Sequence, residues 1–142
     1  MELNTQAGAS GEGMRVLIVE DHLMIAELIE TRLRIEGMQP MKCPGGREAI
    51  EFLGHADVDL VILDIMMPAV DGYEVFKFLK SQARTRQIPV IFLTAKSTQE
   101  DIERGLAMGA EYYITKPFSG NDLVRKVKLL LEQHRLNAMT GI

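Results

Sequence analysis

From Arg15 onward, short apolar runs alternate with segments of helical periodicity five times over. The run Leu60-Val61-Ile62-Leu63 has no polar face, so it reads as a strand buried on both sides of a parallel sheet. Val16-Leu17-Ile18-Val19 has the same character. The pattern predicts strands over 15–19, 39–43, 60–63, 90–93 and 112–114. It predicts helices over 23–35, 48–54, 73–81, 99–108 and 121–133. The last helix is the clearest: Leu123, Val124, Val127, Leu130 and Leu131 follow the i, i+1, i+4, i+7, i+8 stripe of a core-facing helix. In the first, Ile25, Leu28, Ile29 and Leu33 make a similar stripe. Ser97 with Glu100 three residues on resembles a capping box before the fourth helix, and Gly109 is placed to end that helix. The second helix is the least defined, because Gly45, Gly46 and Gly54 crowd a short segment. Strands alternating with helices imply right-handed crossovers, hence an α/β, doubly wound, five-stranded parallel sheet with five helices.

The strand ends carry the candidate chemistry. Glu20-Asp21 closes the first apolar run and Asp64 the third; Thr94 follows the fourth strand and Lys116 lies just past the fifth. Parallel strands point the same way, so these residues share one sheet edge, the edge where open α/β sheets place ligands. Carboxylates at close range repel one another, and a divalent cation relieves this. Mg²⁺ suits such a site, since it takes one or two carboxylates, keeps waters and accepts phosphate oxygens. With a lysine ammonium and a threonine hydroxyl nearby, the set suits phosphoryl transfer, in which positioning and charge neutralisation do most of the catalysis.

Composition narrows the class. The 142 residues fit one domain with a real core. Hydrophobic content of 46% and charged content of 25% are those of a soluble globular chain. The formal net charge of −4 argues against direct nucleic-acid binding. The single cysteine, Cys43, has no partner for an internal disulfide and no neighbours at metal-ligand spacing. Residues 1–13 are polar and rich in small residues, and read as a flexible leader rather than a signal peptide. No apolar stretch approaches the ~20 residues of a membrane span, so no membrane partner is expected and a cytoplasmic location is the default. The folded domain is expected over 14–134, with 135–142 a tail or the start of a linker.

The motifs together resemble the receiver domain of two-component response regulators, the chemotaxis-regulator fold. They are Val16-Leu17-Ile18-Val19-Glu20-Asp21; Leu63-Asp64-Ile65-Met66-Met67-Pro68 with Asp71-Gly72; Phe92-Leu93-Thr94-Ala95; and Gly109-Ala110 through Lys116-Pro117-Phe118. The resemblance implies a flavodoxin-like fold with strand order 2-1-3-4-5. It implies that Asp64 accepts a phosphoryl group from a phosphohistidine on a sensor histidine kinase or histidine phosphotransfer protein. Mg²⁺ would be held by Asp21, Asp64 and the backbone carbonyl of Met66, with Glu20 acting mainly through water. Lys116 would contact the phosphoryl oxygens, Thr94 would move to hydrogen-bond them, and Tyr113 would follow as the switch aromatic. Lys116-Pro117 is expected to be cis. Signalling would pass through the face of the fourth helix, fifth strand and fifth helix to a protein target or output domain. The module would not be an enzyme in the ordinary sense, although it would assist its own phosphorylation and dephosphorylation.

Other readings stand beside these. A magnesium-dependent phosphatase would need a second Asp two residues after Asp64, where this chain has Met66. A non-phosphorylated pseudo-receiver used for binding is disfavoured by the intact acidic pair, acceptor, Thr and Lys. The segment 136–142 faintly resembles the linker that opens diguanylate cyclase domains, so the chain could be the receiver of a longer regulator. His22 reads as a helix-start residue, and His55 and His134 as surface. Arg125, Lys126 and Lys128 read as a solvated face, or as a partner or homodimer surface opposite Glu100, Asp101 and Glu103. Apolar Met66 and basic Lys96 replace polar or acidic residues that place hydrolytic water in faster relatives, which predicts a phosphoryl lifetime longer than in the fast chemotaxis type.

Overall fold

The order of the strands across the sheet decides where the strand-end residues meet. A computed structural model describes residues 13–140. The flexible-leader expectation therefore falls outside the described residues except at Gly13, as do residues 141–142 of the expected tail. In chain order the elements are β1 (Arg15–Val19), α1 (Leu23–Ile35), β2 (Gln39–Cys43), α2 (Gly46–Leu53), β3 (Leu60–Leu63), α3 (Gly72–Ser81), β4 (Val90–Thr94), α4 (Gln99–Met108), β5 (Tyr112–Thr115) and α5 (Gly120–Thr140). The strands form one parallel sheet in the order β2-β1-β3-β4-β5, as the resemblance implied. Pro40, which has no N–H for a ladder, lies on edge strand β2, where that loss is tolerated.

The continuous apolar runs are buried on both faces, and successive residues alternate between two cores. Leu17, Val19, Val61, Leu63, Val90 and Phe92 face α2, α3 and α4. Val16, Ile18, Leu60, Ile62, Ile91 and Leu93 face α1 and α5. The chain runs from β1 outward to β2 and then returns to the other side of β1 for β3. That reversal opens a crevice at the carboxyl ends of β1 and β3.

Several boundaries differ from expectation. α5 continues past residue 133 to Thr140, although no apolar stripe announces the extension: from Leu136 onward its residues are exposed. The box that opens α4 is shifted by one residue. The Thr98 hydroxyl oxygen accepts a hydrogen bond from the Asp101 backbone N–H (3.1 Å), and the Asp101 carboxylate accepts one from the Thr98 backbone N–H (3.3 Å). Gly109 ends α4 as expected, with φ 114°. In α1 the buried residues are Ala26, Ile29 and Leu33, while Leu28 is exposed. α2 opens at Gly46, which packs closely on Val70. No helix among the described residues is long and apolar enough to cross a membrane.

Candidate functional site

Pairing register carries the acids together. Val19 pairs with Leu63, so the residues that follow, Glu20 and Asp64, leave adjacent strands side by side. The Asp64 N–H donates to the Val19 carbonyl (3.0 Å), which extends the ladder one residue further. One oxygen each of Glu20, Asp21 and Asp64 lies within 4.8 Å of the others. Glu20 and Asp64 are almost wholly buried, at 3% and 4% exposure, whereas Asp21 is exposed.

Lys116 reaches this cluster from the far side of β5. Thr94 pairs with Thr115, and the Lys116 N–H donates to the Thr94 carbonyl (2.9 Å), which fixes where the lysine leaves the sheet. Its Nζ lies 2.8 Å from Glu20 Oε1 and 3.1 Å from Asp64 Oδ2. The Lys116–Pro117 bond is cis, as expected.

These contacts set the electrostatics. Burial, reinforced by the charge of Asp64, raises the Glu20 pKa above the ordinary value, against the hydrogen bonds from Lys116 and the His22 N–H. Burial opposes charge on Lys116, but its contacts with Glu20 and Asp64 outweigh that and raise its pKa, so it stays a cation. Glu20 and Asp64 thus share the one ammonium, and Asp21 in the same cluster has no contact with it. Hard, convergent carboxylate oxygens at a partly open edge fit a hard divalent cation such as Mg²⁺.

The loop after β3 is held tightly. Asp64 Oδ1 accepts from the Met66 N–H (3.1 Å), and Asp71 caps α3 through the Glu74 N–H (3.0 Å). A Cβ on Gly72 would collide with the backbone of Asp64 and Ile65, so only glycine lets α3 begin this close to Asp64. Asp71-Gly72 was visible in the sequence, but this steric duty was not. Ala69 in the same loop has φ 66°, a conformation uncommon outside glycine, and no residue pattern announced it. The Met66 side chain is 54% exposed beside this loop.

Thr94 ends β4 at the same edge and is fully buried, its Oγ1 accepting from the Lys96 N–H (3.3 Å). Tyr113 on β5 donates its hydroxyl to the Lys96 carbonyl (2.7 Å) and packs edge-on against Phe92. Burial pushes its phenol pKa up to about 12, with smaller contributions from Tyr73, Asp101 and Asp64. Lys96 therefore joins the two candidate switch residues through its backbone. Its ammonium lies 3.9 Å from Asp101, at the start of α4. His22 caps α1, its Nδ1 accepting from the Ile25 N–H (3.4 Å).

Comparison with known proteins places this geometry. Residues 16–128 match the family described as the response regulator receiver domain. The chain is 41% identical over 119 residues to the phosphate regulon transcriptional regulatory protein PhoB of Klebsiella pneumoniae, covering 84% of this chain and 52% of PhoB. It thus spans about half the length of the curated relatives it matches. Among solved structures, a Francisella response regulator 1452 receiver domain superposes with a TM-score of 0.80 at 32% identity, covering 85% of this chain and 98% of that one. The receiver domain of the sensor histidine kinase PA1611 from Pseudomonas aeruginosa PAO1, solved with a magnesium ion coordinated in its active site cleft, superposes with a TM-score of 0.77 at 30% identity. That match covers 84% of this chain and 98% of that domain.

Proposed function

This chain belongs to the receiver-domain family of two-component response regulators, a family of signalling modules, and on that premise we propose that Asp64 accepts a phosphoryl group from a phosphohistidine on a sensor histidine kinase or phosphotransfer protein. The observation that carries this reading is the Lys116 ammonium between Glu20 and Asp64, at the end of a strand buried on both faces.

An Asp64 carboxylate oxygen attacks phosphorus. The bond from phosphorus to the donor's imidazole nitrogen breaks, and the nitrogen keeps the electron pair. The product is an acyl phosphate on Asp64. Lys116, already within hydrogen-bond distance of Asp64, balances the charge of the arriving phosphoryl oxygens. The Thr94 hydroxyl turns from its contact with Lys96 to donate to a phosphoryl oxygen. Asp21, Asp64 and the Met66 carbonyl would hold Mg²⁺, with Glu20 acting through water; the ion supplies charge neutralisation at the phosphoryl group. When Thr94 turns, its contact with the Lys96 N–H is lost, and Tyr113, hydrogen-bonded to the Lys96 carbonyl, is coupled to that change.

The exposed Met66 and the Asp101-paired Lys96 offer no carboxylate or amide to orient a hydrolytic water, which favours a long-lived acyl phosphate. We place the module in the cytoplasm, with a domain core over 14–134. Its output runs through α4, β5 and α5 to a protein target, a second copy or an output domain of a longer regulator, rather than directly to nucleic acid. Incubation with a small phosphodonor and Mg²⁺ tests the core of this. The intact mass should rise by one phosphoryl group, and chelation or Asp64→Asn should abolish the gain. A wild-type chain that stays unmodified with every donor would favour the pseudo-receiver reading.

A further inference from the structure

α4 is joined to the rest of the molecule differently from every neighbour. Among its residues Gly105 alone is buried, and that glycine packs against the Tyr113 ring. A Cβ at this position would come within 2.6 Å of Tyr113 Cδ2 and 3.1 Å of Phe92 Cδ2. The neighbouring Arg104, exposed overall, lays its guanidinium 3.9 Å from the centroid of the Tyr73 ring on α3. Tyr73 in turn stacks edge-on against Phe92, the ring that Tyr113 also meets. α4 therefore rests on an aromatic platform of Tyr73, Phe92 and Tyr113 through Gly105 and one cation–π contact, with Met108 packed at the core edge and the Lys96–Asp101 pair (3.9 Å) at its start.

Tyr73 itself is under opposing pressures. It is only 6% exposed, and its hydroxyl is buried with no hydrogen-bond partner among the described residues. A buried, unpaired hydroxyl disfavours the arrangement that buries it, because opening would return it to water. The guanidinium on the ring face favours the same arrangement. One residue thus both holds α4 down and makes its release cheaper, as expected of an element poised between two positions.

We propose that Arg104 and Tyr73 form a latch that sets how readily α4 leaves the sheet, the ring closing it and the unpaired hydroxyl loading it. The consequence for signalling rests on the receiver reading, because α4 is part of the face that reading uses. The latch itself is measured on the unphosphorylated protein, so its failure is separable from failure of phosphorylation at Asp64.

The test is hydrogen exchange of the full chain followed by mass spectrometry, with α1 and α5 peptides as internal controls. Arg104→Ala should speed exchange in α4 by about twofold to fivefold, the range of an exposed cation–π contact, although alanine is the better helix former. Tyr73→Phe keeps the ring and deletes the hydroxyl, so it should slow exchange in α4 by about fivefold or more. In a Tyr73→Leu background, Arg104→Ala should have almost no further effect. The latch is overturned if Arg104→Ala leaves α4 exchange unchanged or speeds α1 and α5 equally. It is also overturned if Tyr73→Phe speeds exchange in α4, or if the two changes add fully in the double variant.

Discussion

The two layers covering the sheet are built from different materials. The α1/α5 side is an aliphatic seam in which α5 buries Leu123, Val124, Val127, Leu130 and Leu131, and α1 adds Ala26, Ile29 and Leu33. The opposite side carries the stacked aromatics Tyr73, Phe76, Phe92 and Tyr113, and its outer helix α4 buries one glycine. Branched aliphatics interlock in few arrangements, whereas ring faces against a glycine can slide or part at lower cost. One face therefore fixes where the strands end, and so where Asp64, Glu20 and Lys116 sit. On the other face α2 and α3 bury Ala49, Leu53, Val75, Phe76 and Leu79, and α4 alone is lightly anchored, so under the receiver reading α4 is the part free to move.

Stability measurements can break this contrast. Leu131→Ala empties a fully buried site under α5 and should cost about 2–5 kcal/mol in denaturant unfolding. Leu106→Ala on exposed α4 should cost less than about 0.5 kcal/mol. Equal losses would show that α4 is anchored as firmly as α5.

A smaller effect is expected at the glycine contact. Gly105→Ala gains helix propensity but drives a methyl into the Tyr113 ring, so the net change should be a loss of about 1–2 kcal/mol with altered Tyr113 spectroscopy. A clear stabilisation would mean the α4 seat is looser than described. In the loop after Asp64, Ala69→Gly relieves a positive φ and should stabilise by about 0.5–1 kcal/mol in the same assay.

A further test concerns pH. Tyr113 has a folded pKa of about 12 against an ordinary 10.0, so folding favours its neutral form. That contribution is fully present below pH 10 and is lost as pH rises through about 12. The melting temperature of the native chain should therefore fall more steeply over this window than that of Tyr113→Phe. Parallel curves would remove Tyr113 from the buried platform.

Much of this was legible in the residue pattern because the sheet is buried on both faces. Unbroken apolar runs announce β1, β3 and β4, and the polar residue that ends each run marks the site edge. α1 and α4 fall at their predicted bounds, α4 because Gly109 marks its end. The extension of α5 to Thr140 was not legible, since exposed residues such as Leu136 and Met139 follow no core stripe. The α4 cap was misplaced by one residue, because Ser97 and Thr98 each have an acid three positions on and only packing selects between them. Within the site, Asp64, Glu20, Asp21 and Lys116 came from strand ends, and the structure gathers them. The Lys96 carbonyl as acceptor for Tyr113, the duty of Gly72 and the stack of Arg104 on Tyr73 depend on tertiary contacts between residues distant in sequence. No local signal marks such contacts.

The most direct test of a fixed face and a movable face joined through Asp64 is hydrogen exchange with and without a small phosphodonor in Mg²⁺, using Asp64→Asn as the control. Phosphorylation should change exchange in α4 and in the loop from Thr94 to Thr98, leave α1 and α5 within error, and change nothing in Asp64→Asn. A uniform response in both layers, or an unchanged α4 in fully phosphorylated protein, would contradict the account.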